Sequence, residues 1–235
     1  MEKQNEFKWK HYQPDIILLT VRWYLRYNLS FRDLVEMMEA RGLSIAHTTI
    51  MRWVHQYGPQ LEERVRHHLK STNDSWRVDE TYIRVKGQWM YLYRAVDSEG
   101  HTIDFYLSES SDKQAAKRFF KKALAFSYVS KPRVITVDKN PAYPVAIQEL
   151  KEEKHMPEGI QLRQVKYLNN ILEQDHRFIK KRVRSMLGLK SFHTATYILS
   201  GIEVMHMIKK KQVHQGVKSA QNQKEFIHKL FGLAS

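Results

Sequence analysis

Three acidic residues have the type and setting that phosphoryl transfer on DNA needs: Asp79, Asp138 and Glu173. Asp79 lies in a strand-like run from Trp76 to Val85, and Asp138 closes a second run, Arg133-Val-Ile-Thr-Val-Asp138. Glu173 opens a helical pattern, Asn169-Asn-Ile-Leu-Glu-Gln-Asp-His176. Magnesium prefers hard oxygen ligands and keeps several waters. Two such ions, about 3.5–4 Å apart, can activate an attacking oxygen and stabilise a leaving one. Three carboxylates are enough to hold both while leaving positions for water and DNA.

Each acid also has an ordinary use. Strand parity puts Asp79 with Thr81, Ile83 and Val85, and Glu80 with Tyr82 and Arg84 on the opposite face. A lone carboxylate among β-branched residues is costly to bury, so a cation at the sheet edge explains Asp79 better, while Glu80 reads as solvent-facing or ion-paired. Asp138 could simply begin the turn at Asn140-Pro141. Glu173 could be the partner of Asn170 in a capping box. His176 and Lys180 follow Glu173 on one helix face, and Lys180, Lys181, Arg182 and Arg184 extend a basic stripe. Such a stripe taken alone is a solvated face.

The elements that must position these residues follow from periodicity. Residues 14–70 read as helical: Ile16 to Tyr27, Phe31 to Ala40 after a Ser30 cap, and Ile50 to Tyr57, with Gly58-Pro59 interrupting before a basic helix, Leu61 to Leu69. Gly42 fits the left-handed position after a helix. Two helices around a tight turn form a helix-turn-helix pattern whose second helix presents His47, Thr48, Thr49 and Arg52 to phosphates and base edges. An ordinary three-helix bundle fits the same pattern. Ser71 to Ser75 is a polar linker.

Alternation then replaces helical spacing. Strands run Trp76 to Val85, Trp89 to Val96 after a Lys86-Gly87 hairpin turn, and Thr102 to Leu107. A helix capped by Ser111, with Gln114 in the capping-box position, carries Ala115, Phe119 and Phe120 inward. A strand at Arg133 to Val137, a helix at Ala142 to Lys151, a weaker strand at Gln161 to Lys166 and the Glu173 helix complete the order. This is an α/β layout, a mixed sheet covered by helices. The expected division is a helix-turn-helix DNA-binding domain at 1–70, a catalytic domain at 71–190 and a basic helical tail at 191–235.

Net charge is +14 over 235 residues, with positive charge spread along the chain. That suits a surface tracking a DNA backbone, where each neutralised phosphate releases counterions. The absence of cysteine excludes disulfides, cysteine zinc sites and a cysteine nucleophile, and the 12 histidines lack metal-ligand spacing. The N-terminus lacks the apolar core of a secretory signal, and no apolar run reaches membrane-spanning length. A cytoplasmic, nucleoid-associated protein is expected.

These residues resemble the DDE transposases of bacterial insertion sequences, in the insertion-sequence-six family. The resemblance spans nearly the whole chain: Tyr27-Asn-Leu-Ser-Phe-Arg-Asp33, His47-Thr-Thr-Ile50, Val78-Asp-Glu-Thr-Tyr-Ile83, Tyr91-Leu-Tyr-Arg-Ala-Val-Asp-Ser98, Thr136-Val-Asp-Lys-Asn-Pro-Ala142 and Tyr167-Leu-Asn-Asn-Ile-Leu-Glu-Gln-Asp-His176 carry it. The 34 residues between Asp138 and Glu173 match the family's spacing, and Lys180 its basic position. The chain after Lys211 matches least well. The resemblance implies an RNase H-like catalytic domain in which Asp79, Asp138, Glu173 and Lys180 are catalytic. The three acids would bind two magnesium ions, with manganese able to substitute. It also implies binding of double-stranded DNA at the element's terminal repeats through the helix-turn-helix and through Lys180, Lys181 and Arg182. Water would free a 3′ hydroxyl at the element's end, that hydroxyl would attack target DNA, and a cointegrate would form. At least a dimer is implied, since two ends are paired. The alternative is a catalytically silent DNA-binding regulator, against which the intact acids argue.

Overall fold

Apolar residues at i, i+3, i+4 and i+7 build three opening helices in the computed structural model, which describes residues 7, 10–126, 128–165, 170–186, 189–214 and 219–233. Helix α1 (Pro14–Arg26) starts with proline, whose missing N–H costs nothing at that position, and buries Ile17, Leu18, Val21 and Leu25. Helix α2 (Phe31–Glu39) has a complete capping box: Asp33 N–H donates to Ser30 Oγ at 3.1 Å, and Ser30 N–H donates to Asp33 Oδ2 at 2.7 Å. Gly42, at φ +74°, then takes the left-handed conformation that reverses the chain.

Helix α3 is one helix, His47–Arg66, and this corrects the expected break at Gly58-Pro59. Pro59 forfeits one backbone hydrogen bond, but the buried stripe Ile50, Trp53, Val54, Tyr57, Leu61 and Val65 runs through it unbroken. Tertiary packing outweighs the local breaker. Gly58 has its own reason to be there: a Cβ would lie 2.9 Å from the carbonyl oxygen of Tyr197, which is backbone and cannot yield without a shift. Gly58→Ala should therefore lose about 1–3 kcal/mol of stability by overpacking. Urea denaturation measures this, and an unchanged midpoint would deny the close approach.

The chain divides into two compact units, residues 1–68 with 196–235, and residues 69–195. The third segment expected at 191–235 is thus not separate. Most of helix α7 (Phe192–Lys209) and all of α8 (Ala220–Leu230) fall in the first unit. Nor is α7 basic: Ile198, Leu199, Ile202, Val204, Met205, Met207 and Ile208 are buried, and with Ser200, Glu203 and His206 also buried it is enclosed on every side, as a core helix is. The end of the chain is tied down by Arg64, which donates to the Leu230 carbonyl at 2.8 Å and lies 4.2 Å from the Phe231 ring centre.

The second unit holds a five-stranded sheet in the order β3-β2-β1-β4-β5. Its strands are β1 (Ser75–Val85), β2 (Gln88–Asp97), β3 (Thr102–Ser108), β4 (Val134–Val137) and β5 (Gln161–Gln164). The last expected residue of the fifth strand, Lys166, lies outside the described residues. β1, β2 and β3 pair antiparallel, while β4 runs parallel to β1 and β5 to β4. Lys86 (φ +49°) and Gly87 (φ +82°) make the two-residue turn that sets the β1–β2 register. On one face, Trp76, Val78, Tyr93 and Ala95 pack on Phe119 and Phe120 of α4 (Lys113–Leu124) and Tyr143 and Ile147 of α5 (Ala142–Glu152). The cap of α4 is Asp112, which accepts from Ala115 N–H at 2.8 Å, rather than the expected Ser111. On the other face α6 (Asn170–Ser185) lies against β1 and β2. A mixed sheet with helices on both faces is the expected α/β architecture. No helix among the described residues is long and apolar enough to cross a membrane.

Candidate active site

Parallel pairing of β1 with β4 brings two of the acids together. Ser75 pairs with Val134, Trp76 with Ile135 and Arg77 with Thr136, a constant offset of 59 that also separates Asp79 from Asp138. Neighbouring strands lie about 4.8 Å apart, so both carboxylates stand side by side where β4 ends, the edge at which ligand sites collect in such sheets. Asp79, Glu80 and Asp138 can each place one oxygen within 4.8 Å of the others, and all three are half-buried. No other cluster of three or more possible ligands occurs among the described residues.

Glu80 is a correction. It is half-buried, and among the described residues no ion pair engages it: its Oε1 accepts from Ser111 Oγ at 3.1 Å and Asn140 Nδ2 at 2.7 Å, and its Oε2 accepts from the Tyr143 hydroxyl. Parity had correctly put Glu80 on the face opposite Asp79, but that face meets α5 and the turn after β4. Glu80 thus ties β1 to the segment that carries Asp138. With Glu80's oxygens engaged, Asp79 and Asp138 are the freer oxygen donors. Asp138 also serves its turn, accepting from Asn140 N–H at 3.0 Å, so the structural and chemical uses coexist. Burial, and then the charges of Glu80 and Asp79, push its carboxyl above the ordinary carboxylate range, against that hydrogen bond. The three carboxylates repel one another, and a positive charge among them would relieve it.

The stripe on α6 explains the remaining placements. Leu172, Asp175, His176, Ile179, Arg182 and Met186 are buried, at helical spacing. Arg182, expected to touch DNA, is fully buried and cannot do so; its Nη1 reaches Ser185 Oγ at 3.4 Å. Glu173, Lys180, Lys181 and Arg184 are exposed. Glu173 is not in the carboxylate cluster. It stands one helical turn before His176, whose Nε2 is 3.4 Å from Asp79 Oδ2. The side chain of Asn170, its suggested capping partner, lies outside the described residues.

Two further residues were not anticipated. Arg94, fully buried, faces Asp79 across the β1–β2 register and pairs with Asp175 of α6 at 2.7 Å. This ion pair fastens α6 to the sheet two residues beyond Glu173. Both signals are in the sequence: Arg94 shares its β2 face with the apolar Met90 and Leu92, and Asp175 falls between Leu172 and Ile179 on the buried stripe. In the helical unit, His47, Thr48 and Arg52 are exposed and Thr49 is half-buried at the start of α3.

The family described as "DDE domain" matches residues 73–212. Two proteins of Staphylococcus aureus, the transposase for insertion sequence-like element IS431mec and the transposase for insertion sequence element IS257 in transposon Tn4003, are each 39% identical over 213 residues. That covers 88% of this chain and 90% of each relative. The HTLV-2 integrase catalytic core domain in its trimeric form is a distant structural likeness, with TM-score 0.46 and 18% identity over 67% of this chain and 97% of that one.

Proposed function

The chain belongs to the DDE transposases of bacterial insertion sequences, in the insertion-sequence-six family, and we propose that it binds its element's terminal inverted repeats, frees a 3′ end at each and transfers that end into target DNA, forming a cointegrate. The observation that carries this reading is the pair Asp79 and Asp138, set side by side by the β1–β4 register. The donor set is all oxygen, and the Asp138 carboxyl is pushed up by burial and then by its acidic neighbours, which fits hard divalent cations. Asp79, Asp138 and Glu173 are proposed to hold two magnesium ions, with manganese able to substitute. Cations bound there would activate the attacking oxygen and stabilise the leaving one.

The chain's own residues do the positioning. Glu80 holds the turn of Asp138 against β1 through Asn140 and Tyr143. The Arg94–Asp175 pair keeps α6, and with it Glu173, at the sheet. Lys180 and Lys181, exposed beyond Glu173, supply cations for the phosphates beside the cut. In the helical unit, α2 and α3 form the helix-turn-helix, and His47, Thr48, Thr49 and Arg52 read the terminal repeat. A homodimer would pair the two ends. The work is done on DNA in the bacterial cytoplasm.

Glu173→Gln tests the third ligand. Joining of labelled terminal-repeat DNA to a plasmid should vanish while gel-shift binding of the repeat persists. If Glu173 only caps its helix, the substitution costs about 0.5–2 kcal/mol of stability and joining survives.

A further inference from the structure

Beyond Asp79, β1 continues to the hairpin and carries two of the most exposed large hydrophobic side chains among the described residues onto one surface. Tyr82 is 54% exposed and Trp89, just across the turn on β2, 61%. Their rings stand edge to face, 6.5 Å apart at 86°, with the Arg84 guanidinium over the Trp89 ring at 5.9 Å from its centre. They form one wall of a groove of about 1230 Å³, whose other wall is the C-terminal half of α6 with Leu189 and Lys190. Arg84, Lys86, Lys180, Arg184 and Lys190 line it, and no carboxylate does so among the described residues. No ion pair engages any of these five among the described residues.

Two occupants would explain exposed aromatic rings: a second copy of the chain, or nucleic acid. Charge separates them. A second copy would bring like charges together, and three of the five cations are lysines, a type depleted at protein interfaces. A phosphate backbone gains from every one of them. The rings then separate duplex from single strand. Bases in a duplex hide their faces in the stack, whereas unpaired bases can lie on aromatic side chains. Position supplies the last step. Tyr82 is three residues along β1 from Asp79, and Lys180 seven along α6 from Glu173, each about 10 Å. The groove therefore shares β1 and α6 with the acids; Tyr82 stands on the Glu80 face of β1, so a strand lying in the groove would reach Asp79 past the edge of β1, a couple of nucleotides away.

We propose that this groove holds unpaired nucleotides of the DNA strand that crosses the carboxylates, with bases against Trp89 and Tyr82 and phosphates on the surrounding lysines and arginines. This rests on the transposase reading, but its test does not. Fluorescence anisotropy of a labelled ten-nucleotide thymidine oligomer, with the full chain in chelator, needs no divalent cation. Wild type should bind the oligomer, Trp89→Ala should weaken binding by about tenfold, the scale of one stacked base, and Trp89→Phe should stay within about twofold of wild type. Affinity for a repeat-free duplex should be unchanged in all three. Because Trp89 is largely exposed, the melting temperature should not move. Failure of wild type to bind the oligomer, or equal binding by Trp89→Ala, would overturn the proposal. So would conversion of a dimer to a monomer by Trp89→Ala with oligomer binding intact, which would assign the surface to a second copy. A chain that binds the oligomer through Trp89 yet joins no DNA ends would sink the transposase reading and leave the groove's ligand standing.

Discussion

Asp175→Ala should lower stability by about 3–5 kcal/mol, the usual cost of removing one member of a buried ion pair. Arg94 is fully buried, and the substitution leaves its guanidinium without the carboxylate 2.7 Å away. Arg94 cannot relieve the loss by shedding its proton. Replacing both members, as in Arg94→Met with Asp175→Leu, should recover most of the stability, because well-packed apolar residues can substitute for a buried pair. Denaturant titration of the single and double variants checks this. Equal stability in wild type and Asp175→Ala would mean the pair does not hold α6. The double variant also separates stability from function: if the pair orients Glu173 as well, it should fold but join DNA ends poorly.

Asp138→Asn should cost more than about 100-fold in joining, since even residues that only support a metal ligand cost about 10–100-fold when replaced. It should also change stability in the opposite sense. The Asp138 carboxyl is raised in the folded state by burial and by Glu80 and Asp79. Below the ordinary carboxylate range, folded and unfolded chains both hold the proton and nothing is lost. As pH rises through the raised folded value, the folded chain must carry another negative charge in the cluster, and stability falls. In chelator, wild type should therefore lose stability between acid and neutral pH that Asp138→Asn keeps, and at neutral pH the variant should melt higher. Magnesium should raise the melting temperature of wild type and leave the variant's nearly unmoved. A variant that melts lower than wild type in chelator would show that the Asn140 hydrogen bond, not repulsion, dominates at this position.

Asp79 and Asp138 were legible as strand acids because strands announce themselves by alternation; that they come together depends on the parallel pairing of β1 with β4, which alternation does not reveal. Parity could assign Glu80 a face but not what covers it; that depends on α5 and the turn at Asn140, a contact between residues 60 apart. Arg182 was misjudged because a run of basic residues was read as one stripe, whereas at 100° per residue it turns inward at that position, in line with Ile179 and Asp175. Pro59 and Gly58 carry a local signal to break the helix, which the long buried stripe of α3 and its close approach to Tyr197 override. The groove at Trp89 was hidden for a different reason: its walls come from a hairpin and a helix some hundred residues apart, and exposed aromatics look like core residues until a fold leaves them outside.

The central claim is tested most directly by strand transfer with purified protein, labelled terminal-repeat DNA, a target plasmid and magnesium. The account predicts joined product from wild type, and none from Asp138→Asn or from wild type in chelator. Equal joining by the two proteins, or joining that persists in chelator, would contradict it.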